Sequence, residues 1–333
     1  MTDPVIDNTF LNLLRKDGII GRKTPQIHML TGGVSSEIFR IDADGRTVVV
    51  KRALKKLKVK ADWSADVSRN GYEAAFLRYV AAFLPDSVPR VLGQGEDYFV
   101  MEFLDGFRDW KSMLKSKTIN PDHAIEAGTL VGKIHAHSFG DPIAVQQFDA
   151  TVNFVQLRVS PYLHHMAERH PAVADLIHEE AGRLTQHREC LIHGDFSPKN
   201  ILIASDRLVL VDCEVAFYGD PAFDLSFLLC HLLLKELLHA PEQAGLIILA
   251  DAFMTAYKDH RTLSTVAFSE LEKRVARLLP MLLLARVDGK SPVEYLNIEK
   301  QAYTRKFAIN YIREENFDLK SLMAEWFGTL EKK

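Results

Sequence analysis

The stretch HGDFSPKNILIASDRLVLVDCE, residues 193–214, decides how this chain is read. CLIHGD (190–195) is apolar until it turns at Gly194, and NILIAS (200–205) and RLVLVD (207–212) read as short strands joined by a tight turn at Ser205 and Asp206. Paired antiparallel, they place Asn200 at the start of one strand and Asp212 at the end of its partner, at the same end of the hairpin as the Asp195 loop. Hard oxygen ligands on so compact a piece of backbone suit Mg2+, which takes a few carboxylate or amide oxygens and leaves its other positions to water and phosphate. A phosphoryl-transfer site needs little more than a carboxylate that orients a hydroxyl and metal that offsets phosphate charge.

Working outward, 333 residues exceed the usual limit of about 250–300 for one core, so one large or two coupled domains are expected. Apolar residues at 47% and charged residues at 26% are ordinary for a folded chain and argue against a disordered one. A formal charge of −3 argues against a nucleic-acid binder held mainly by phosphate contacts. The N-terminal residues lack the apolar core of a signal peptide, and AFDLSFLLCHLLLKELL (222–238) is broken by Asp224, His231, Lys235 and Glu236, too short and polar to span a bilayer. Cys190, Cys213 and Cys230 are odd in number and lack C-x-x-C spacing, so neither a disulfide framework nor a zinc site is expected, and together with the absence of a spanning stretch the chain reads as cytoplasmic without a membrane partner.

The first third has strand texture in IHML (27–30), EIFRI (37–41), TVVVKRAL (47–54) and DYFVMEFL (97–104), divided by Gly- and Asp-rich turns. One helix interrupts it, Arg69 to Phe83, and PDSVP (85–89) ends that helix. Beyond Phe103 the texture is helical, with PDHAIEAGTLVGKIHAH (121–137) and candidates at 171–187, 221–238, 242–258, 268–287, 292–312 and 317–330. Strand character returns only around 189–212. The expected division is a β-rich lobe over 1–102 and a larger helical lobe over 103–333.

H-G-D-x-x-x-x-N from His193 to Asn200, followed twelve residues later by Asp212 and then by VDCEVAFYGDPAFDLSFLL (211–229), resembles the aminoglycoside phosphotransferase and choline kinase superfamily, locally its methylthioribose kinase branch. The resemblance implies an α+β, protein-kinase-like bilobal fold and an ATP-dependent small-molecule kinase using Mg2+. It implies Asp195 as catalytic base and His193 as the residue that positions its loop. Asn200 and Asp212 match metal ligands, Glu214 adds to the metal or substrate shell, and Asp224 braces the loop at a helix start.

Such a kinase also needs a phosphate loop, a strand lysine, a helix glutamate and a hinge. Gly32, Gly33, Ser35 and Ser36 supply the loop, Lys51 ends TVVVK, and Glu73 is its expected partner. Backbone groups of Glu102, Phe103 and Leu104 are expected to read adenine, with Asp105 near the ribose. The ordered set spans at least residues 30–225.

For the acceptor, RVSPYLHHM (158–166) offers Arg158 and Tyr162, and LARVDGKSPVEYL (284–296) offers Arg286, Asp288 and Lys290, the latter equally readable as a connector with Pro292 opening a helix. His135 and His137 read as packing histidines, as do His164 and His165, and Trp63 and Trp110 as buried or cleft-capping. The partner is then a small-molecule hydroxyl acceptor: a sugar, an amino alcohol or an aminoglycoside-like amine. A protein Ser/Thr kinase is disfavoured because H-R-D and D-F-G are absent, and a nucleotide-binding scaffold without turnover because every catalytic residue type is present.

Overall fold

The computed structural model describes residues 8–30, 36–54, 69–204, 207–240 and 246–330, with residues 329 and 330 by backbone alone. The chain forms two compact units: Met1–Phe107 with Val209–Glu214, and Arg108–Leu208 with Val215–Lys333. The division falls five residues beyond the one expected after 102, and the first unit takes back the segment that carries Asp212 and Glu214.

In the first unit, helix α1 (Asn8–Lys16) precedes strands β1 (Gln26–Met29), β2 (Ser36–Ala43) and β3 (Arg46–Ala53), then helix α2 (Arg69–Ala81), and then β4 (Val91–Gln94) and β5 (Tyr98–Glu102). These strands form one antiparallel sheet in the order β1-β2-β3-β5-β4. Strand β4, which the sequence reading missed, contains Gly93 and is only half-buried, so it lacks a strong β signal. β3 is buried from Val48 through Lys51 because α1 and α2 cover the sheet, and Phe10, Leu14, Phe39, Ile41, Val50 and Tyr98 join one core cluster. Burial of such side chains stabilises by about 1.5–3 kcal/mol each.

The second unit opens with β6 (Arg108–Asp109), α3 (Trp110–Lys115), α4 (Pro121–Ser138) and α5 (Pro142–Gln147). Next, α6 (Thr151–Phe154) runs through a π-helical stretch, Val155–His164, into α7 (His165–Arg169), which a short 3-10 turn connects to α8 (Ala174–Gln186). Then come β7 (Cys190–Ile192), β8 (Ile201–Ala204), β9 (Arg207–Leu210), whose end passes to the first unit, and β10 (Phe217–Gly219). Helices α9 (Ala222–His239), α10 (Leu246–Arg261), α11 (Thr265–Asp288), α12 (Ile298–Glu314) and α13 (Leu319–Leu330) complete it.

Local signals set several ends. Asn120 caps α4 by accepting from the Asp122 amide at 3.0 Å, with Pro121 at the first helical position. α12 starts at Ile298 and not at Pro292, because Asn297 accepts from the Lys300 amide at 2.9 Å. α4 packs closely on α10: a Cβ at Gly128 would lie 2.3 Å from the Phe253 carbonyl oxygen, so only glycine permits that approach. β7 pairs antiparallel with β10, Ile192 opposite Phe217, and this pairing carries the chain into the 193–200 loop. Among the described residues, no helix is long and apolar enough to cross a membrane.

Candidate active site

Lys51 lies on β3, 2% exposed, with its Nζ 3.0 Å from Oε1 and 2.7 Å from Oε2 of Glu73 on α2. The same ammonium bonds Asp212, which the returning segment Val209–Glu214 brings into the first unit. Asp212 has φ 62°, a left-handed conformation that aspartate tolerates better than most residues and that is often held at functional sites. Arg69, fully buried at the start of α2, sets its Nε 3.1 Å from Oε2 of Glu214 and also donates to the Leu54 carbonyl. The sequence reading used Arg69 only as a helix boundary; a buried arginine is recognised by its partner, and that partner is 145 residues away.

Oxygens of Glu73, Asp212 and Glu214 all lie within 4.8 Å of one another. Burial opposes the charge on Lys51, but the carboxylates of Asp212, Glu73 and Glu214 outweigh it and hold the ammonium well above the ordinary lysine range. Burial pushes Glu73 up to about 7, with Lys51 opposing the rise and Asp212 and Glu214 adding to it. Three carboxylates against one ammonium and one guanidinium leave excess negative charge on an all-oxygen donor set, which fits a hard divalent cation.

Of the expected phosphate loop, Gly32, Gly33 and Ser35 lie outside the described residues, while Ser36 opens β2 with a buried Oγ that has no partner among them. At the hinge, the Glu102 amide donates to the Arg90 carbonyl at 3.0 Å and its carboxylate pairs with Arg90 at 2.9 Å. Its N–H is therefore used within the chain, which removes that group from the expected adenine-reading set. Phe103 lies under the Arg40 guanidinium, 4.6 Å from ring centroid, and Leu104 follows the strand end.

In the second unit, the 193–200 loop is held from several sides. Asp224, fully buried at the start of α9, accepts from the His193 amide at 2.7 Å and the Gly194 amide at 2.9 Å. His135 approaches the same carboxylate at 3.3 Å and Tyr257 at 3.1 Å, so it is an interior histidine, whereas His137 is exposed. His193 Nδ1 accepts from the Asp195 amide at 3.2 Å. Gly194 has φ 73°, and a Cβ there would meet the Val215 carbonyl oxygen at 2.3 Å, so the position requires glycine.

The Asp195 side chain has two named partners. Asn200 Nδ2 donates to its Oδ2 at 2.8 Å and to its carbonyl at 2.9 Å, which leaves Oδ1 of Asn200 as the atom available to a cation. Arg158, on the π-helical stretch, lies 3.1 Å from Asp195 Oδ1 and donates to the Gly194 carbonyl at 2.6 Å. π-helical segments are rare and often functional; here one aims Arg158 at the loop and stacks it 5.8 Å from the Tyr162 centroid and 5.7 Å from that of Phe227. Arg286 Nη1 donates to the Tyr162 hydroxyl at 3.3 Å, so Arg158, Tyr162 and Arg286 form one group with Asp195.

Asp288 does not join them. Its carboxylate is bound by Arg305 at 2.6 and 2.7 Å and by His170 at 3.0 Å, an ion cluster that ties α11 to α12 and removes it from the expected acceptor residues. Lys290 lies in the turn after α11. Trp110 is fully buried in α3, consistent with packing, and Trp63 lies outside the described residues.

A profile of the phosphotransferase enzyme family matches residues 26–268. The chain is 28% identical over 228 residues to the methylthioribose kinase of Pectobacterium atrosepticum, covering 60% of this chain and 57% of that protein. It is 26% identical over 296 residues to the methylthioribose kinase of a Geobacillus species, covering 77% and 73%. The chain thus spans little more than half the length of the first of these relatives. Among solved structures, the amicoumacin kinase hAmiN, in complex with AMP-PNP, Ca2+ and amicoumacin, superposes with a TM-score of 0.63 at 14% identity, over 94% of this chain and 95% of that one. An α+β fold of the protein-kinase-like type is therefore shared with small-molecule kinases, and with the family profile covering more than half of its residues the chain belongs to the phosphotransferase enzyme family.

Proposed function

We propose that the protein exercises its family's phosphotransferase activity as an ATP-dependent kinase acting on a hydroxyl of a sugar- or polyol-like small molecule. The observation that carries this reading is the Asp195 carboxylate held between Asn200 and Arg158 on a loop braced by Asp224. The methylthioribose kinases among the relatives favour a sugar-like acceptor over an amine.

Asp195 orients the acceptor hydroxyl and accepts its proton as the hydroxyl oxygen bonds to the γ-phosphorus of ATP; the bond from that phosphorus to the β,γ-bridging oxygen breaks, and ADP leaves. Lys51, fixed by Glu73, binds the nucleotide phosphates, and Ser36 offers its hydroxyl to them. Asp212, with Glu214 beside it, would hold Mg2+, and Asn200 keeps its Oδ1 as an oxygen donor on the Asp195 loop. When bound, the metal offsets charge on the phosphates. Most of the rate enhancement in this scheme comes from positioning and fixed charge.

The test is ADP release by purified protein with Mg-ATP across a panel of pentoses, polyols, amino alcohols and aminoglycosides, with Asp195→Asn as the blank. Acceptor-dependent ADP that vanishes in the variant and in chelator supports the reading. Phosphate transfer to protein substrates alone, or acceptor-independent behaviour shared by wild type and variant, overturns it.

A further inference from the structure

Helix α9 is apolar on most faces, yet it carries Lys235 at 1% exposure. Its Nζ has no hydrogen-bond partner among the described residues and rests 3.4 Å from the ring centroid of Tyr295. A fully buried lysine is rare unless paired, and removing its charge from water without a counterion is strongly unfavourable. The cation–π contact recovers only part of that.

Two more donors nearby are also without partners among the described residues: the Tyr295 hydroxyl and the Arg286 Nε. The acidic residue facing Lys235 is Glu294, and Lys111 already binds it at 2.9 Å. Burial, then Lys111, Lys115 and Arg286, pull Lys235 down to about 8 against Glu294. His231, one turn earlier on the same face, is held well below its ordinary range by burial and by Arg286, Lys235, Lys111 and Lys199. The surroundings of Lys235 are thus rich in donors and cations, with fewer carboxylates than cations.

A chain of side-chain contacts links this cluster to the candidate catalytic group. Phe227, which stacks with Arg158 at 5.7 Å, contacts His231 at 5.3 Å, and Phe227, His231 and Lys235 recur every four residues along α9. Arg286 belongs to both ends, donating to Tyr162 and lying within electrostatic reach of Asp195. Eight residues, about 12 Å along the helix axis, separate Phe227 from Lys235.

We propose that the acceptor carries an anionic group, a carboxylate or a phosphate, which Lys235, Arg286 and Tyr295 bind while its hydroxyl is presented to Asp195. This rests on the kinase reading of the site but makes a narrower demand, because a choline-like or aminoglycoside amine would be repelled here. The bound anion supplies the directly hydrogen-bonded counterion that Lys235 lacks while Glu294 is held by Lys111.

The test measures binding separately from turnover. Calorimetric titration of the full chain with Mg-ADP uses matched probes: ribonate and gluconate as carboxylates, ribose 5-phosphate and glycerol phosphate as phosphates, ribose, ribitol and glycerol as neutral partners. At least one anionic probe is expected to bind ten-fold or more tightly than its neutral partner, and the class that wins tells carboxylate from phosphate. Lys235→Met is expected to abolish that preference while retaining Mg-ADP binding, and to raise the melting temperature of the unliganded protein by about 2–4 °C as the unpaired charge is removed. Neutral probes binding as well as all the anions, or a preference that survives in Lys235→Met, overturns the inference. Loss of acceptor-dependent ADP in Asp195→Asn is scored apart from this, so failure of the kinase reading and failure of the anion site give different results.

Discussion

Arg158 places its guanidinium 3.1 Å from Oδ1 of Asp195 while its Nε holds the carbonyl of the neighbouring Gly194 at 2.6 Å, so one side chain grips both the carboxylate and the backbone that presents it. Arg158→Lys keeps the charge but loses the planar fork that makes two directed bonds at once. A drop in kcat of roughly 10–100-fold is expected for Arg158→Ala, with little change in the KM for ATP and partial rescue by Arg158→Lys. An unchanged kcat in Arg158→Ala, or a kcat loss in Arg158→Lys equal to that in Arg158→Ala, would contradict this positioning role.

Asp195→Asn should retain nucleotide binding and lose roughly 100–10,000-fold in acceptor phosphorylation, the range expected when a positioned general base is removed. Single-turnover rates with saturating Mg-ATP measure it directly.

Lys51 is the ammonium among Glu73, Asp212 and Glu214, so Lys51→Ala leaves buried carboxylates without their nearest cation. A loss of about 3–5 kcal/mol of stability is expected in metal-free protein, the usual effect of breaking a buried ion pair from one side. Adding Glu73→Gln should restore part of it, and a double-mutant cycle in urea reads the coupling. Additive losses would show that the pair acts independently.

Gly194→Ala forces a side chain into a left-handed conformation and within 2.3 Å of the Val215 carbonyl oxygen. The expected destabilisation is about 1–3 kcal/mol for the backbone alone. Activity should fall more than stability, because the displaced peptide is the one that carries Asp195. Chemical denaturation together with kcat separates the two effects.

Glu189 binds Arg261 at 3.0 Å, Arg274 at 2.8 Å and His187 at 2.9 Å. Burial raises its carboxyl, but the His187 hydrogen bond and the two guanidinium groups outweigh that and lower it from 4.5 to about 2. A depressed folded-state pKa contributes stability above about pH 4.5 that is lost as pH falls towards 2. Allowing for solvent screening of a partly exposed group, about 2 kcal/mol is expected to disappear over that range. Glu189→Gln should lower stability at pH 7 and flatten the acid limb of the melting-temperature profile; an unchanged acid limb would refute it.

The sequence by itself determined the order of the parts and the short-range geometry. His193, Gly194, Asp195 and Asn200 lie within eight residues, so their mutual bonds depend on one loop, and H-G-D-x-x-x-x-N was enough to read it. Lys51 was legible because a β-branched run precedes it, and Glu73 because it follows on the next helix. Tertiary structure alone decided which side chains meet across long separations: Arg69 with Glu214, Lys51 with Asp212, Arg158 with Asp195, and Asp288 with Arg305 in place of the acceptor group. Spacing along a chain encodes contacts that one helix, loop or hairpin can close, whereas a pair separated by dozens of residues exists only after the intervening elements have packed. Lys235 shows the difference: in the sequence it was a charge interrupting an apolar helix, and only the packing of α9 against Tyr295 and Arg286 left that charge buried without a hydrogen-bond partner among the described residues.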